Sequence, residues 1–242
     1  MGYNRQVMVI KTFSGIEELS KTAAASFIEL ANRSIAERGK FLVSLSGGST
    51  PMKLYERLAV EKTDWSRVHF FWGDERCVPV DDPGNTYGQT KKILFDKIGQ
   101  TNIHRVRSEL EPESAAVDYA RTLSGFADAP FDFPRFGLVL LGMGDDGHTA
   151  SLFPNSPIDI STPTLAVTAN YQDRPANRVT LTPRVFNQAR EIWFLVTGSS
   201  KAETLRRVIK GEKNLEQLPA QRIQPENGKL VWMIDDAAGK LL

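Results

Sequence analysis

The sequence contains one cysteine, Cys77. A lone thiol closes no internal disulfide, so stability must come from a packed core, and a reducing compartment fits. No apolar run approaches the ~20 residues needed to cross a bilayer. The start, Met1-Gly2-Tyr3-Asn4-Arg5-Gln6, shows no apolar signal-peptide segment. Charge of neither sign is in excess: 30 basic residues face 29 acidic ones, for a net charge of +1. Without a basic stripe, a nucleic-acid partner has no electrostatic support. The three histidines, His69, His104 and His148, have no metal-ligand spacing with one another or with Cys77. Also missing are the Gly-Lys-Ser/Thr ending of a P-loop and a Gly-x-Ser-x-Gly elbow. These absences set the expectation: a soluble cytoplasmic protein with no nucleic-acid partner and no membrane partner.

What is present suits a single α/β domain over residues 1–242. Hydrophobic residues make up 41% and charged residues 24% of the chain, enough for a full core. A short strand-like segment follows residue 6. Ser14-Gly15-Ile16-Glu17 reads as a capping box. It opens a helix with apolar residues at helical spacing from Ile16 to Ile35 and a stop at Gly39. Phe41-Leu42-Val43-Ser44-Leu45 reads as a buried strand, and Thr50-Pro51 as cap and first residue of the next helix. Further strands are predicted at 68–72, 103–106, 137–141, 165–169, 178–181, 191–196 and 230–234. Helices are predicted from Asn85 toward Ile98, from Pro112 to about Gly125, after Thr182-Pro183, and from Ser199 or Ser200 through Val208. Segment 154–176, rich in Pro and Asn, reads as irregular. Alternating strands and helices predict a Rossmann-like α/β/α sandwich with a mostly parallel sheet. In such sheets, ligands bind beyond the carboxyl ends of the strands.

Four strand ends carry unusual polar sequence. In Ser46-Gly47-Gly48-Ser49-Thr50-Pro51, small residues let backbone N–H groups converge ahead of a helix N-terminus, a setting for an anion such as phosphate. Gly73-Asp74-Glu75-Arg76 places three charges directly after an aromatic strand, which is costly unless they face a polar cavity. In Gly142-Met143-Gly144-Asp145-Asp146-Gly147-His148, glycines break a strand and present a histidine, the side chain best suited to proton transfer near neutral pH. This stretch matches Gly-x-Gly-x-x-Gly literally, but no acidic residue stands at the tip of the next strand about 20 residues on, so a dinucleotide site is rejected. In Thr197-Gly198-Ser199-Ser200-Lys201, a lysine in a helical first turn opposes the helix dipole and calls for a nearby anion. Arg178 is a second candidate cation. His69 and His104 lie within strand patterns and read as structural.

At these residues the sequence resembles a known family. Ser46–Pro51, Trp72-Gly73-Asp74-Glu75-Arg76-Cys77-Val78-Pro79, Asn85-Thr86-Tyr87, Gly142–Pro154 and Asn177-Arg178-Val179-Thr180-Leu181-Thr182 occur in one order along nearly the whole chain. Together they resemble the 6-phosphogluconolactonase family related to glucosamine-6-phosphate deaminase. The resemblance implies hydrolysis of 6-phospho-D-glucono-1,5-lactone to 6-phosphogluconate in the oxidative pentose phosphate pathway, without a metal or organic cofactor. The expected partner is the small phosphosugar lactone, and the expected state a monomer or weak homodimer. The related deaminases carry a glutamate five positions after the histidine, where this chain has Phe153, and an Asp-Glu-Tyr segment where it has Asp74-Glu75-Arg76. Both departures favour a lactone over an aminosugar. On this reading His148 is the general base, held by Asp146 or a neighbouring carboxylate, Asp74 or Glu75. Arg76 and the N–H groups of loop 142–147 receive the developing oxyanion. Phosphate sits on Ser46, Gly47, Gly48, Ser49 and Thr50, neutralised by Arg178 and Lys201, with Asp74 also at the substrate. A deaminase on the same fold and a sugar-phosphate sensor remain the alternatives.

Overall fold

Unbroken apolar runs become strands buried on both faces, as parallel sheets require. The computed structural model describes residues 7–99, 102–171 and 174–242; the reading of Met1–Gln6 lies outside them. In chain order the elements are β1 (Val7–Phe13), α1 (Ile16–Arg38), β2 (Phe41–Leu45), α2 (Ser49–Leu58), β3 (Val68–Trp72) and β4 (Asp74–Arg76). Next, α3 (Thr86–Thr90) runs through a π-helical turn at Lys91–Phe95 into α4 (Asp96–Ile98). Then follow α5 (Pro112–Ser124), β5 (Leu138–Leu141), β6 (Thr164–Thr168), β7 (Asn177–Leu181) and α6 (Pro183–Phe186). The chain closes with β8 (Glu191–Val196), α7 (Ala202–Lys210), β9 (Lys229–Asp235) and α8 (Asp236–Gly239).

Six strands form one sheet in the order β1-β9-β8-β5-β2-β3, every pair parallel. Side-chain alternation sends Leu138, Leu140, Trp193 and Leu195 into a core under α1 and α2, with Phe27, Leu54 and Tyr55. Val139, Leu141, Ile192 and Phe194 enter a second core under α5 and α7, with Tyr119, Leu123 and Leu205. This is the expected three-layer α/β/α sandwich. From β2 the chain moves outward to β3, then returns to the opposite side of β2 as β5. The strand order therefore reverses between β2 and β5, and a crevice opens where their following loops diverge.

The structure corrects several local readings. Strands at 164–168 and 177–181 exist, but they leave the main sheet and form a three-stranded antiparallel sheet in the order β4-β7-β6. Asp74–Arg76, read as a loop, is the edge strand of that sheet. Segment 154–176 thus contains β6. Residues 103–106 form no strand: only Ile103 bridges to Phe70. The capping box is not formed with Glu17. Glu18 instead accepts from the Ser14 N–H at 2.8 Å and from its hydroxyl at 2.7 Å. α2 begins at Ser49 with Gly48 as its cap, because the Thr50 hydroxyl is engaged by Thr197 Oγ1 at 2.8 Å. The Asn85 cap is as read, its side chain accepting the Gly88 N–H at 2.8 Å, and so is the left-handed stop at Gly39.

Candidate active site

The loop after β2 is built around Gly48, whose φ of +107° turns the strand directly into α2. Tyr55, buried in α2, clasps Ser46: its hydroxyl accepts from the Ser46 N–H at 3.0 Å and donates to the Ser46 carbonyl at 2.8 Å. Tyr119 holds Trp72 in the same way from the opposite helical layer, at 2.8 Å in both directions. These clasps fix the ends of two adjacent strands. The Ser46 hydroxyl is buried and has no partner among the described residues. α2 opens with no side-chain cap, and its first turn lines the crevice, so its N–H groups are available to an anion.

The loop after β5 faces it. The His148 Nδ1 lies 2.6 Å from Asp146 Oδ1, which also accepts the His148 backbone N–H at 3.0 Å. Nδ1–H donating to the carboxylate leaves Nε2 as the basic nitrogen, an assignment that follows from the hydrogen-bond partner. Burial pushes the Asp146 carboxyl up, but the bonds and charge from His148 outweigh it and hold the group below its ordinary value. Gly144 makes room for the pair. A Cβ there would lie 2.0 Å from His148 Nδ1 and 2.6 Å from Asp146 Oδ1. Phe153 and Tyr171 flank the imidazole, each with its ring centroid 4.6 Å away. Two N–H groups read as oxyanion donors are already engaged: Gly144 donates to the His148 carbonyl and Gly147 to the Gly144 carbonyl, at 2.9 and 3.1 Å.

The antiparallel sheet forms a third wall. Its register sets Asp74 opposite Thr180 and Arg76 opposite Arg178, so the two arginines are cross-strand neighbours. Arg178 is 2% exposed. Its Nε donates to the Pro175 carbonyl at 3.0 Å and its guanidinium lies 5.3 Å from the Phe153 ring centroid, but Nη2 has no partner among the described residues. Arg76 Nη1 donates to the Gly84 carbonyl at 2.7 Å, while its buried Nε is likewise unpartnered. Buried donors without partners are rare in native proteins, and here three of them border one crevice. Their chemistry fits an oxyanion.

Glu75 goes elsewhere. It is 1% exposed and accepts N–H groups from Arg76, Thr86 and Tyr87 at 2.8, 2.8 and 2.7 Å. Burial pushes its carboxyl up to about 7, against the pull of those N–H groups and the Arg76 charge. Its work is to tie β4 to the N-terminus of α3. The carboxylate that holds His148 is therefore Asp146, with Asp74 and Glu75 both bonded to other groups. The anion called for near Lys201 is Asp145, 2.7 Å from its Nζ.

The structure thus gathers Ser46, Gly47, Gly48, Ser49 and Thr50 on one wall, His148 and Lys201 on another, and Asp74, Arg76 and Arg178 on the third. Asp146 stands behind His148. Tyr171 and Arg174 also line the crevice and are not among the sequence candidates, because nothing in their local sequence sets them apart from surface residues. Asp145 and Thr197, which line it too, lie in two of the singled-out loops but were given no role there. His69 and His104 stack on each other, with Nδ1 and Nε2 3.1 Å apart, and neither lines the crevice. Among the described residues no group of three or more His, Cys, Asp or Glu side chains is placed to hold a metal ion.

An α/β/α sandwich that sets an uncapped helix start opposite a carboxylate-held histidine, across its strand-order reversal, has the makings of a sugar-phosphate enzyme. The family described as glucosamine-6-phosphate isomerases/6-phosphogluconolactonase matches residues 15–232, and the chain belongs to it. It is 41% identical over 214 residues to a 6-phosphogluconolactonase of Synechocystis sp., covering 87% of this chain and 88% of that one. It is 40% identical over 207 residues to a 6-phosphogluconolactonase of Haemophilus influenzae, covering 83% and 87%. The crystal structure of 6-phosphogluconolactonase from Thermotoga maritima superposes with a TM-score of 0.82 at 29% identity, covering 96% of this chain and 100% of that one. Among the described residues no helix is long and apolar enough to cross a membrane.

Proposed function

We propose that the chain hydrolyses 6-phospho-D-glucono-1,5-lactone to 6-phospho-D-gluconate, the lactonase step of the oxidative pentose phosphate pathway. The observation that carries this reading is the His148–Asp146 pair, 2.6 Å apart, facing a loop and arginines with unpartnered buried donors. A lactone is an activated ester, so water suffices as nucleophile once a base removes its proton. His148 Nε2 takes that proton as the water oxygen bonds to C1, and Asp146 stabilises the imidazolium that forms. The charge moves to the carbonyl oxygen, where Arg76 is the cation assigned to it. When the tetrahedral centre collapses, the C1–ring-oxygen bond breaks and His148 returns the proton to the leaving oxygen. The product is the open-chain acid, and no covalent enzyme intermediate is required.

The phosphate is placed on residues 46–50 and the start of α2, with Arg178 as its principal cation. Lys201 shares its charge with Asp145 and contributes less. Phe153 supports the lactone over an aminosugar phosphate. Its ring lies 4.6 Å from that of His148, tilted by 34°, at the position where the deaminases carry a carboxylate, and it leaves that side of the imidazole apolar. The test follows proton release after adding freshly prepared lactone, against the spontaneous rate. Acceleration by the protein with no ammonia released from glucosamine 6-phosphate is the expected result. The reverse pattern would assign the site to the deaminases, and binding without turnover to a sensor.

A further inference from the structure

The turn that follows the catalytic histidine does something the site described so far does not use. After Thr149 the backbone enters a left-handed conformation at Ala150, φ +49°, which a residue with a Cβ rarely adopts. Thr149 and Leu152 close this tight turn by mutual backbone hydrogen bonds of 3.4 and 2.9 Å. The Thr149 hydroxyl anchors its start to the Gly142 carbonyl at 2.8 Å. The effect is to turn Ser151 inward. Its N–H donates to Thr180 Oγ1 at 3.3 Å, and its hydroxyl to Asp74 Oδ2 at 2.7 Å. Thr180 and Asp74 are themselves paired across β7 and β4. The strained turn thus docks the histidine loop onto the one rung of the small sheet that carries Asp74.

Ser151 stands three residues after the base, where a nucleophile would be convenient. It is 0% exposed, however, and its proton is directed at a carboxylate. Asp74 is 8% exposed and lines the crevice beside Arg76 and Arg178. A carboxylate so enclosed needs a donor on one oxygen if it is to hold one orientation.

We propose that Ser151 is a positioning residue that acts through Asp74. By engaging Oδ2 it holds the carboxylate toward the hydroxyl groups of the sugar lactone, and it fixes the spacing between Asp74 and His148. This rests on the reading that Asp74 contacts the substrate. A serine serving this purpose fails only through its carboxylate, and that gives the test.

Steady-state kinetics on the phosphorylated lactone are compared for Ser151→Ala, Asp74→Ala and the double variant, with melting curves for each. Asp74→Ala is expected to lower kcat/KM by ~10–100-fold and Ser151→Ala by ~5–20-fold, the ranges for hydrogen bonds to charged groups. The double variant is expected within ~2-fold of Asp74→Ala, because a donor without its acceptor has nothing left to do. If Ser151→Ala costs the same factor with and without Asp74, the hydroxyl acts on its own and the proposal falls. If Asp74→Ala is neutral, the placement of Asp74 at the substrate fails first, a result visible without the serine variants, and the proposal falls with it. Ser151→Cys, close in size and a weak donor, runs the same cycle if the alanine variant does not fold.

Discussion

The six-stranded sheet, through the loops after β5 and β8, brings the crevice side chains already bonded to one another, whereas the three-stranded sheet and the loop after β2 supply buried donors that still lack partners. On the first, His148 is held by Asp146 and Lys201 by Asp145. On the second, Arg178 keeps an unpartnered Nη2 and Arg76 an unpartnered Nε, both buried. The first arrangement fits a base, which must sit at one angle and in one tautomer before substrate arrives. The second fits cations that recognise an anionic substrate, because their hydrogen bonds are completed only when it binds. A base held in place and donors awaiting partners thus face each other across the crevice, and substitutions at the base and at the cations should fail differently.

The largest effect is expected at the base. His148→Ala should lower kcat by ~10²–10⁴-fold while changing KM little, the usual worth of a general base; turnover like that of the wild type would remove His148 from the chemistry. Gly144→Ala sharpens the same point without touching an ionisable group. Its methyl displaces the imidazole, and a kcat loss of ~10²-fold is expected, since an ångström of misplacement has that cost. An unaffected kcat would show that the His148–Asp146 geometry is not needed. On the other sheet, Arg178→Ala should raise KM for the phosphorylated lactone by ~10–100-fold and leave hydrolysis of an unphosphorylated lactone nearly unchanged. Equal losses on both substrates would place Arg178 away from the phosphate. Lys201→Ala should follow the same pattern but stay within ~3–10-fold, as its charge is already shared with Asp145. An effect larger than that of Arg178→Ala would reverse their ranking.

The smallest effect separates the frame from the chemistry. Glu75 is pushed by burial up to about 7, above the 4.5 of a free carboxyl. Between those values the folded chain binds more protons than the unfolded chain, so this group's contribution to stability declines as pH rises through that window. Glu75→Gln removes the titration. Relative to that variant, the wild-type melting temperature should drop by at least ~2 °C from about pH 5 to about pH 8. A difference that is flat or rises with pH contradicts the shift.

Much of this was legible in the chain. Apolar runs such as Phe41–Leu45 and Glu191–Val196 identified the parallel strands because burial on both faces leaves no polar alternation to confuse them. Asn85 and Gly39 marked helix ends because their local chemistry decides those positions alone. The antiparallel sheet was not legible. Asp74-Glu75-Arg76 is too short and too charged to look like a strand, and it becomes one only because β7, about a hundred residues later, offers hydrogen-bond partners. Tyr171 and Arg174 lie in a segment read as irregular, and their place in the crevice depends on where β6 and β7 carry that segment.

The sequence by itself determined the parallel sandwich, the glycine-rich turns at the ends of β2 and β5, and the histidine with its adjacent aspartate, since each rests on residues close together in the chain. Tertiary structure decided which carboxylate holds His148, which cations keep an unpartnered donor, and why Ser151 faces Asp74. Those choices depend on burial and on partners far away in sequence. Whether a charged side chain is paired or available is a property of its surroundings, and only the folded chain supplies them.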